Sequence, residues 1–591
     1  MSVSEAVAEI LASAGPSEGA GVPRGPLVDA LLQLRCVQSK QEADQLLMAS
    51  GALCQPDDSV DLKVLCSWLW PSWANEKLEE EVRGGFEISG PGCCIERAEE
   101  RAISLHQLTG VVASSIRRFT VQEGWKDRDG RELTPQTVDL YSLVPHFIKP
   151  ATASRKCSFV ELVATSPQPP DWFVSHWWGE PVLDFVKCLW QHSRDRNHEA
   201  TATYWVCAYA NNQWDLGGDV CEDPAETSFR KAMRLARGLL SVLDAGAICY
   251  RRIWCIYEIH VANVEQTETE SGSPYLFDVY TVGADAGRSG SGGGGAIGIT
   301  DGYVAADGTG EKQARKKRHR EWKFPFELVQ KALDIDIQTA LASEERDRLS
   351  ILNSIAGAAD LSGCPPAAHE NYDRLNSVLH GRFVAASWVR AAELQLEMSR
   401  HSVALAASQL RRLTLHFGGG CLETLQDAAV TLLAESLPTT LESLFLGFAG
   451  CRKLTDAAAV SLAASLPGLT KLRDLELRFA TGAKITDLGC CALAEGITPR
   501  ADTLQQLHLD FTGNPSLTDA ACASLAESLL QLKALRQVWL SLGGCKQVSK
   551  EARAMLEEAS SREGLQSWVT IGKAHCDHKG SVDVSLEQAQ P

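Results

Sequence analysis

Apolar positions in the last third of the chain follow one repeating order. L-x-x-L-x-L-x-F recurs at Leu410, Leu413, Leu415, Phe417; Leu441, Leu444, Leu446, Phe448; Leu472, Leu475, Leu477, Phe479; and Leu504, Leu507, Leu509, Phe511. A fifth copy reads Leu535, Val538, Leu540, Leu542, and successive copies start 31, 31, 32 and 31 residues apart. Alternation at period 2 predicts one strand per copy. The Ala/Leu-rich stretches opening at Asp456, Asp487 and Asp519 carry the 3.6 period of a helix. Thr455, Thr486, Thr518 and Ser549 recur just ahead of the helices, where a hydroxyl caps the first turn; Gln426 breaks the rule in the first copy. Leu565, Trp568 and Thr570 predict a partial sixth strand. One strand–helix copy cannot bury its apolar face alone, so the copies stack.

Further upstream the apolar runs are short. Trp172–Val174, Tyr204–Tyr209, Gly238–Asp244 and Leu276–Tyr280 read as buried strands, with helices over Val182–Ser193 and Phe229–Arg237 and from about Tyr250. Such alternation predicts a parallel sheet with helices on both faces, whose ligand crevice lies just past the strand C-termini. Gly287–Gly295 lacks G-x-x-x-x-G-K-[ST] and reads as a flexible loop, and Arg315–Arg320 as a solvated charge run. Residues 1–80 read as a small helical module shaped like a degenerate EF-hand, with Leu53, Gln55 and Val64 where calcium needs oxygen ligands. The organisation expected is 1–80 helical module, 81–117 helical connector, 118–360 α/β domain with a Gly-rich insertion 285–312, 361–404 helical linker and cap, 405–580 repeats, and 581–591 tail.

Composition narrows this little. The 591 residues carry a net charge of −18, which argues against nucleic acid as the main partner, and 45% hydrophobic content excludes wholesale disorder. No apolar run is long enough to span a membrane, and the first residues lack a basic stretch before an apolar one. Nineteen cysteines without a secretion signal read as reduced thiols in the cytoplasm. His575-Cys576-Asp577-His578 lacks a second ligand pair, so no metal is expected.

Two resemblances add to this reading. Asp171-Trp172-Phe173-Val174-Ser175-His176 resembles the first-strand signature D-x-F-[IV]-S-[HYF] of the Toll/interleukin receptor (TIR) superfamily. Tyr250 to Glu258 resembles its Y-x-x-S-x-W-C-x-x-E-L segment, with Trp254, Cys255, Glu258 and Ile259 in register. The spacing from Tyr250 to Trp254 is one residue shorter, and Arg251-Arg252 stands where the family has serine. The run from Phe173 to Glu180 and the loop Tyr209-Ala210-Asn211-Asn212-Gln213 are similar to a TIR-like group of algae and other protists. The C-terminal copies are identified as a leucine-rich repeat array of the class with a full helix per repeat. The fold expected is multidomain α/β: a TIR-like, flavodoxin-type parallel sheet, a C-terminal leucine-rich repeat solenoid and a small helical N-terminal module.

The TIR resemblance implies that Glu258 supports cleavage of the nicotinamide–ribose bond, with NAD as substrate rather than resident cofactor. A carboxylate suits the oxocarbenium-like ribose that forms. The structural alternative is that Glu258 steadies its helix or pairs with Arg251 and Arg252. Ser175, His176, Trp177, Asn212 and Gln213 are candidate NAD contacts at the sheet edge, although Asn also makes turns. On the repeats, Phe445, Glu476, Arg478, His508, Asp510 and Trp539 fall on the concave strand face and are expected to hold a protein partner. The first expectation is an intracellular signalling or scaffold protein whose TIR-like domain either self-associates or acts downstream. The alternative is an NAD glycohydrolase regulated by its repeats.

Overall fold

A computed structural model of the chain describes residues 92–113, 115–116, 123–198, 202–216, 223–265, 268–282, 295–308, 313–418, 424–562 and 564–570. It also describes Val22, Pro23, Val28, Leu53, Cys54, Ser59 and Val60. The helices expected within 1–80, most of the Gly-rich loop, and His575–His578 lie outside the described residues. Near the N-terminus β1 (Val22–Pro23), β2 (Leu53–Cys54) and β3 (Ser59–Val60) pair antiparallel in the order β1-β3-β2. Leu53 and Val60, read as parts of a helix–loop–helix pair, are therefore strand residues.

The chain divides into two compact units. One comprises Met1–Gly308, Lys323–Leu328 and Ile337–Ala367; the other comprises Thr309–Trp322, Val329–Asp336 and Ala368–Pro591. The expected boundary at 360 is thus replaced by a chain that crosses between the units more than once.

The first unit holds a six-stranded sheet in the order β4-β6-β5-β7-β8-β9. Its strands are β4 (Ile103–Ser104), β5 (Trp172–Ser175), β6 (Thr203–Trp205), β7 (Gly238–Leu243), β8 (Leu276–Val282) and β9 (Ala296–Ile299). Strands β6, β5, β7 and β8 are parallel, and β4 and β9 add antiparallel edges. Every residue of β5 and β7 is buried, as expected of parallel strands covered on both faces, which explains their mainly apolar sequences. In chain order the parallel strands run second, first, third, fourth, so the topological switch falls between β5 and β7.

Helix α1 (Val182–Arg196) follows β5, buries Val182, Phe185, Val186 and Leu189, and ends at Asn197 in the left-handed conformation (φ 58°). Helices α2 (Ser228–Leu235) and α3 (Ile253–His260) flank β7 along the chain. A buried ionic network ties α1 to the sheet. Asp278 on β8 accepts from Arg196 Nε and Nη2 at 2.9 and 2.7 Å and faces His192 Nε2 at 3.1 Å, while His192 Nδ1 meets Tyr204 Oη at 3.0 Å. Burial alone would raise the Asp278 carboxyl, but the His192 hydrogen bond and the Arg196 charge hold it well below the usual range.

Three local expectations change. Cys207–Ala210 is a helical turn closed by Tyr209 and Ala210 amides on the Val206 carbonyl, so the strand ends at Trp205. Ile103–Ser104, read as connector, pairs with β6, and Ala296–Ile299, read as loop, pairs with β8. Both satisfy edge amides that burial would otherwise leave unpaired.

The second unit carries six parallel strands in sequence order: β10 (Arg412–His416), β11 (Ser443–Gly447), β12 (Asp474–Arg478), β13 (Gln506–Asp510), β14 (Gln537–Ser541) and β15 (Gln566–Thr570). Between and after them run α5 (Asp427–Glu435), α6 (Asp456–Ser465), α7 (Asp487–Ile497), α8 (Asp519–Gln531) and α9 (Lys550–Ser560). Pairing is in register, so Leu413, Leu444, Leu475, Leu507 and Val538 form one buried row. Phe417, Phe448, Phe479 and Phe511 stack beside it with centroids 5.1, 5.1 and 6.1 Å apart.

The recurrent hydroxyls do more than cap. Thr486 Oγ1 accepts from Leu488 N at 3.3 Å while Asp456, from the preceding copy, accepts from Thr486 N and Oγ1 at 2.8 and 2.6 Å. Asp427 holds Thr455 and Asp487 holds Thr518 in the same way, and Asp519 takes the Ser549 amide. Gln426 makes no side-chain cap. The basic run is not simply solvated. It lies in α4 (Gln313–Glu321), where Arg318 donates to the Gly418 carbonyl and to Glu393 and its guanidinium lies 5.0 Å from the Trp322 ring centre. No helix among the described residues is long and apolar enough to cross a membrane.

Asp456→Ala removes the acceptor for Thr486 and for the Gly489 amide. It should lower unfolding stability by about 1–3 kcal/mol in urea titration. Asp502→Ala, at an exposed position, should shift it by less than about 0.5 kcal/mol.

Candidate functional site

Residues of the two motifs, Asp171–His176 and Tyr250–Glu258, meet at the carboxyl ends of β5 and β7. Ser175 closes β5 opposite Ser241 of β7, and both hydroxyls lie 3.8 Å from Cys249 Sγ. Helix α3 adds Cys255, whose thiol donates to the His176 carbonyl at 3.6 Å, and Glu258. Glu258 is 4% exposed, and its Oε2 has no hydrogen-bond partner among the described residues. Burial, reinforced by the Cys255 thiol, pushes its carboxyl well above the usual range, and a hydrogen bond from Ser175 opposes this only in part.

The expected arginine pairing is not what holds it. Arg252 Nη2 donates to Ser343 Oγ at 2.9 Å, and Trp254 Nε1 to Asp347 at 2.9 Å. Two of the surrounding thiols are not activated either. Burial pushes Cys207 up to about 12 against the Trp178 indole bond at 3.2 Å, and the Cys249 thiol together with burial pushes Cys255 well up. A thiol so shifted carries almost no thiolate at neutral pH, so neither Cys207 nor Cys255 is an activated nucleophile.

The five candidate NAD contacts do not converge on one crevice. Ser175 and His176 are neighbours in an extended segment and point to opposite sides, Ser175 towards Cys249 and His176 onto the Phe185 ring at 4.6 Å. Trp177 lies over Gly179, where a Cβ would come within 2.2 Å of its ring. Asn212 Nδ2 donates to the Lys156 carbonyl at 2.9 Å, and Gln213 Nε2 to those of Ala208 and Asn211 at 3.0 and 3.3 Å. The helical turn at Cys207–Ala210 carries both amides past the strand end; Asn212 Oδ1 also accepts from the Trp214 amide at 3.1 Å, so the bonds of both residues serve the local turn and its attachment to Lys156. Glu180 was not singled out from the sequence. It is buried, with Oε2 unpartnered among the described residues, and burial, then Asp244 and Asp184, raises its carboxyl.

The repeat face does converge. Register sets Thr414, Phe445, Glu476, His508, Trp539 and Trp568 in one row and Arg478 beside Asp510 in the next. Phe445, Asp474, Glu476, His508 and Trp539 line one depression of about 360 Å³. Glu476 accepts from Arg478 Nε and from His508 Nδ1 at 3.1 Å; burial opposes ionisation, but these partners hold its carboxyl below the usual range. The Arg478 guanidinium lies 5.7 Å from the Phe445 centroid, His508 leans on Trp539 at 6.0 Å, and Trp539 stacks on Trp568 at 4.6 Å. Asp510 accepts from the Thr512 amide at 2.9 Å. Asp474 and Trp568 were missed as face residues, although their places in the leucine period equal those of Gln506 and Trp539.

Burial lowers the His176 ring to about 4, whereas Glu258 is raised. Below pH 6.5 the unfolded chain protonates this histidine first, so its burial destabilises the fold by roughly 2 kcal/mol more at pH 5 than at pH 7. His176→Gln should therefore gain stability relative to the parent between pH 7 and pH 5 in thermal melts. Glu258→Gln should show the opposite sign, being favoured over the parent most at pH 7 and above, where the unfolded carboxyl is ionised. Comparison with known protein families and with curated proteins finds no family model and no protein that matches this chain.

Proposed function

We propose that this chain is an intracellular signalling or scaffold protein whose leucine-rich repeats bind a protein partner on the face of β10–β15, with its TIR-like domain as an interaction module. The observation that carries this reading is the shared depression lined by Phe445, Glu476, His508 and Trp539. Aromatic side chains held by a preformed hydrogen-bonded network are the usual anchors of a protein interface, and they lose little entropy on binding. A cytoplasmic setting would keep the thiols reduced. Cross-linking of the full chain in its native extract should identify the partner. Phe445→Ser combined with Trp539→Ser should then weaken its binding about 100-fold, with the circular dichroism spectrum and melting temperature retained. Unchanged binding would remove this face from the reading.

A second reading, TIR-type NAD cleavage, is supported by the position of the buried Glu258 carboxyl beside Ser175 at the switch between β5 and β7. At 4% exposure the carboxyl has to be uncovered before NAD can reach it. If so, oligomerised protein at high concentration should release nicotinamide, and Glu258→Gln should abolish the release while keeping the fold. Absence of nicotinamide under those conditions would leave the TIR-like domain as a binding module only.

A further inference from the structure

Resting on the partner-binding reading, we propose that the depression takes a cationic side chain, arginine above lysine, from an extended basic segment of the protein partner. Asp474 would supply its carboxylate, and Phe445 and Trp539 its aromatic walls.

Asp474 opens β12 between Ser443 and Gln506 in the row beside the aromatics. Its carboxylate makes no hydrogen bond or ion pair within reach among the described residues, unlike Glu476, which Arg478 and His508 already satisfy. Partial burial, the largest influence, raises its carboxyl; Arg412 and Arg473 lower it from longer range without reversing this, and Glu442 works with the burial. A ligand filling the depression covers this carboxylate further. An apolar occupant would leave it buried and unpaired, and an anion would face two carboxylates, both of which are costly. A cation meets both requirements, because its charge pairs with Asp474 while its body lies against the rings.

The chain itself shows the arrangement once. Arg478 sits over Phe445 with its Nε on Glu476, so this face already holds one guanidinium between a ring and a carboxylate. Among the described residues the ring contacts of Trp539 are to His508 and Trp568, and no cation lies over it. Arginine is favoured over lysine because its plane stacks on an indole and its fork matches a carboxylate. The net charge of −18 draws a basic segment towards the chain from any direction, so charge alone must be separated from the site.

Fluorescence anisotropy of the full chain with a labelled nine-residue Gly/Ser peptide carrying three arginines, its lysine counterpart and its glutamate counterpart makes that separation. The arginine peptide should bind at least ten-fold tighter than the glutamate one. Asp474→Asn should weaken it about ten-fold, the worth of a charged hydrogen bond, and Trp539→Phe by a smaller factor. Asp502→Asn, which removes the same charge elsewhere, should change it by less than about two-fold. Equal binding of the arginine and glutamate peptides, equal losses in Asp474→Asn and Asp502→Asn, or no binding of any peptide would each overturn the proposal. Tight binding of the glutamate peptide that is lost in Trp539→Ser would overturn the cation but leave the partner-binding face standing.

Discussion

Parallel pairing in strict register is the constraint on which the second unit depends. Because residue n of one strand lies opposite the residue 31 or 32 places later, every position of the repeat becomes a row running across the sheet. Inward rows must then be uniform, since a polar or small residue in the leucine row or the phenylalanine stack would leave a cavity or an unpaired group in contact with both neighbours. Outward rows have no such restriction. The same geometry that forces Leu444, Leu475 and Leu507 to be alike frees Phe445, Glu476 and His508 to differ. The depression is built in that outward row.

The rows also need fixing at their helical ends, and the aspartate–hydroxyl pairs do this. Each threonine hydroxyl caps its own helix and donates to the aspartate one copy earlier, so capping and copy-to-copy attachment are one interaction. The first copy, with Gln426, has neither a side-chain cap nor an aspartate of an earlier copy reaching it among the described residues.

The first unit solves a different problem at its topological switch. Where related sheet orders open a crevice, this one is packed with groups whose charged forms burial disfavours: Glu258, Glu180, His176 and the thiols of Cys207 and Cys255. Charge in this unit is instead paired at Asp278 and Arg196, and the His192 ring, whose protonation burial disfavours, adds hydrogen bonds that join α1 to two strands. An ion pair that locks the sheet is thus set apart from a desolvated cluster at the switch. Catalysis at Glu258 would require the second of these to open.

Much of the architecture was legible because it is written in local periods. The leucine repeat placed all five full strands and the sixth to within about a residue, and the apolar runs placed β5, β7 and β8, since burial on two faces favours mainly apolar residues. The misplaced elements were those with short or mixed patterns: the edge strands β4 and β9, the turn at Cys207–Ala210, and the traffic of chain between the units. Edge strands pair through backbone amides, which any side chain allows, so they leave little trace in composition. The candidate repeat-face residues came together because register converts sequence spacing into spatial adjacency. The candidate NAD contacts did not, because their directions depend on how β5, β6 and the following turn pack.

By itself, then, the sequence determined the repeat, its strand–helix alternation, its capping hydroxyls and the parallel pairing of β10–β15 and of the central strands β6, β5, β7 and β8, all consequences of interactions between near neighbours or identical copies. Tertiary structure alone decided the burial of Glu258, the pairing of Arg252 with Ser343 instead of with it, the second role of the repeat aspartates, and the unpaired carboxylate of Asp474. Each of these depends on which distant side chains share a low-dielectric space, and sequence separation does not encode that distance.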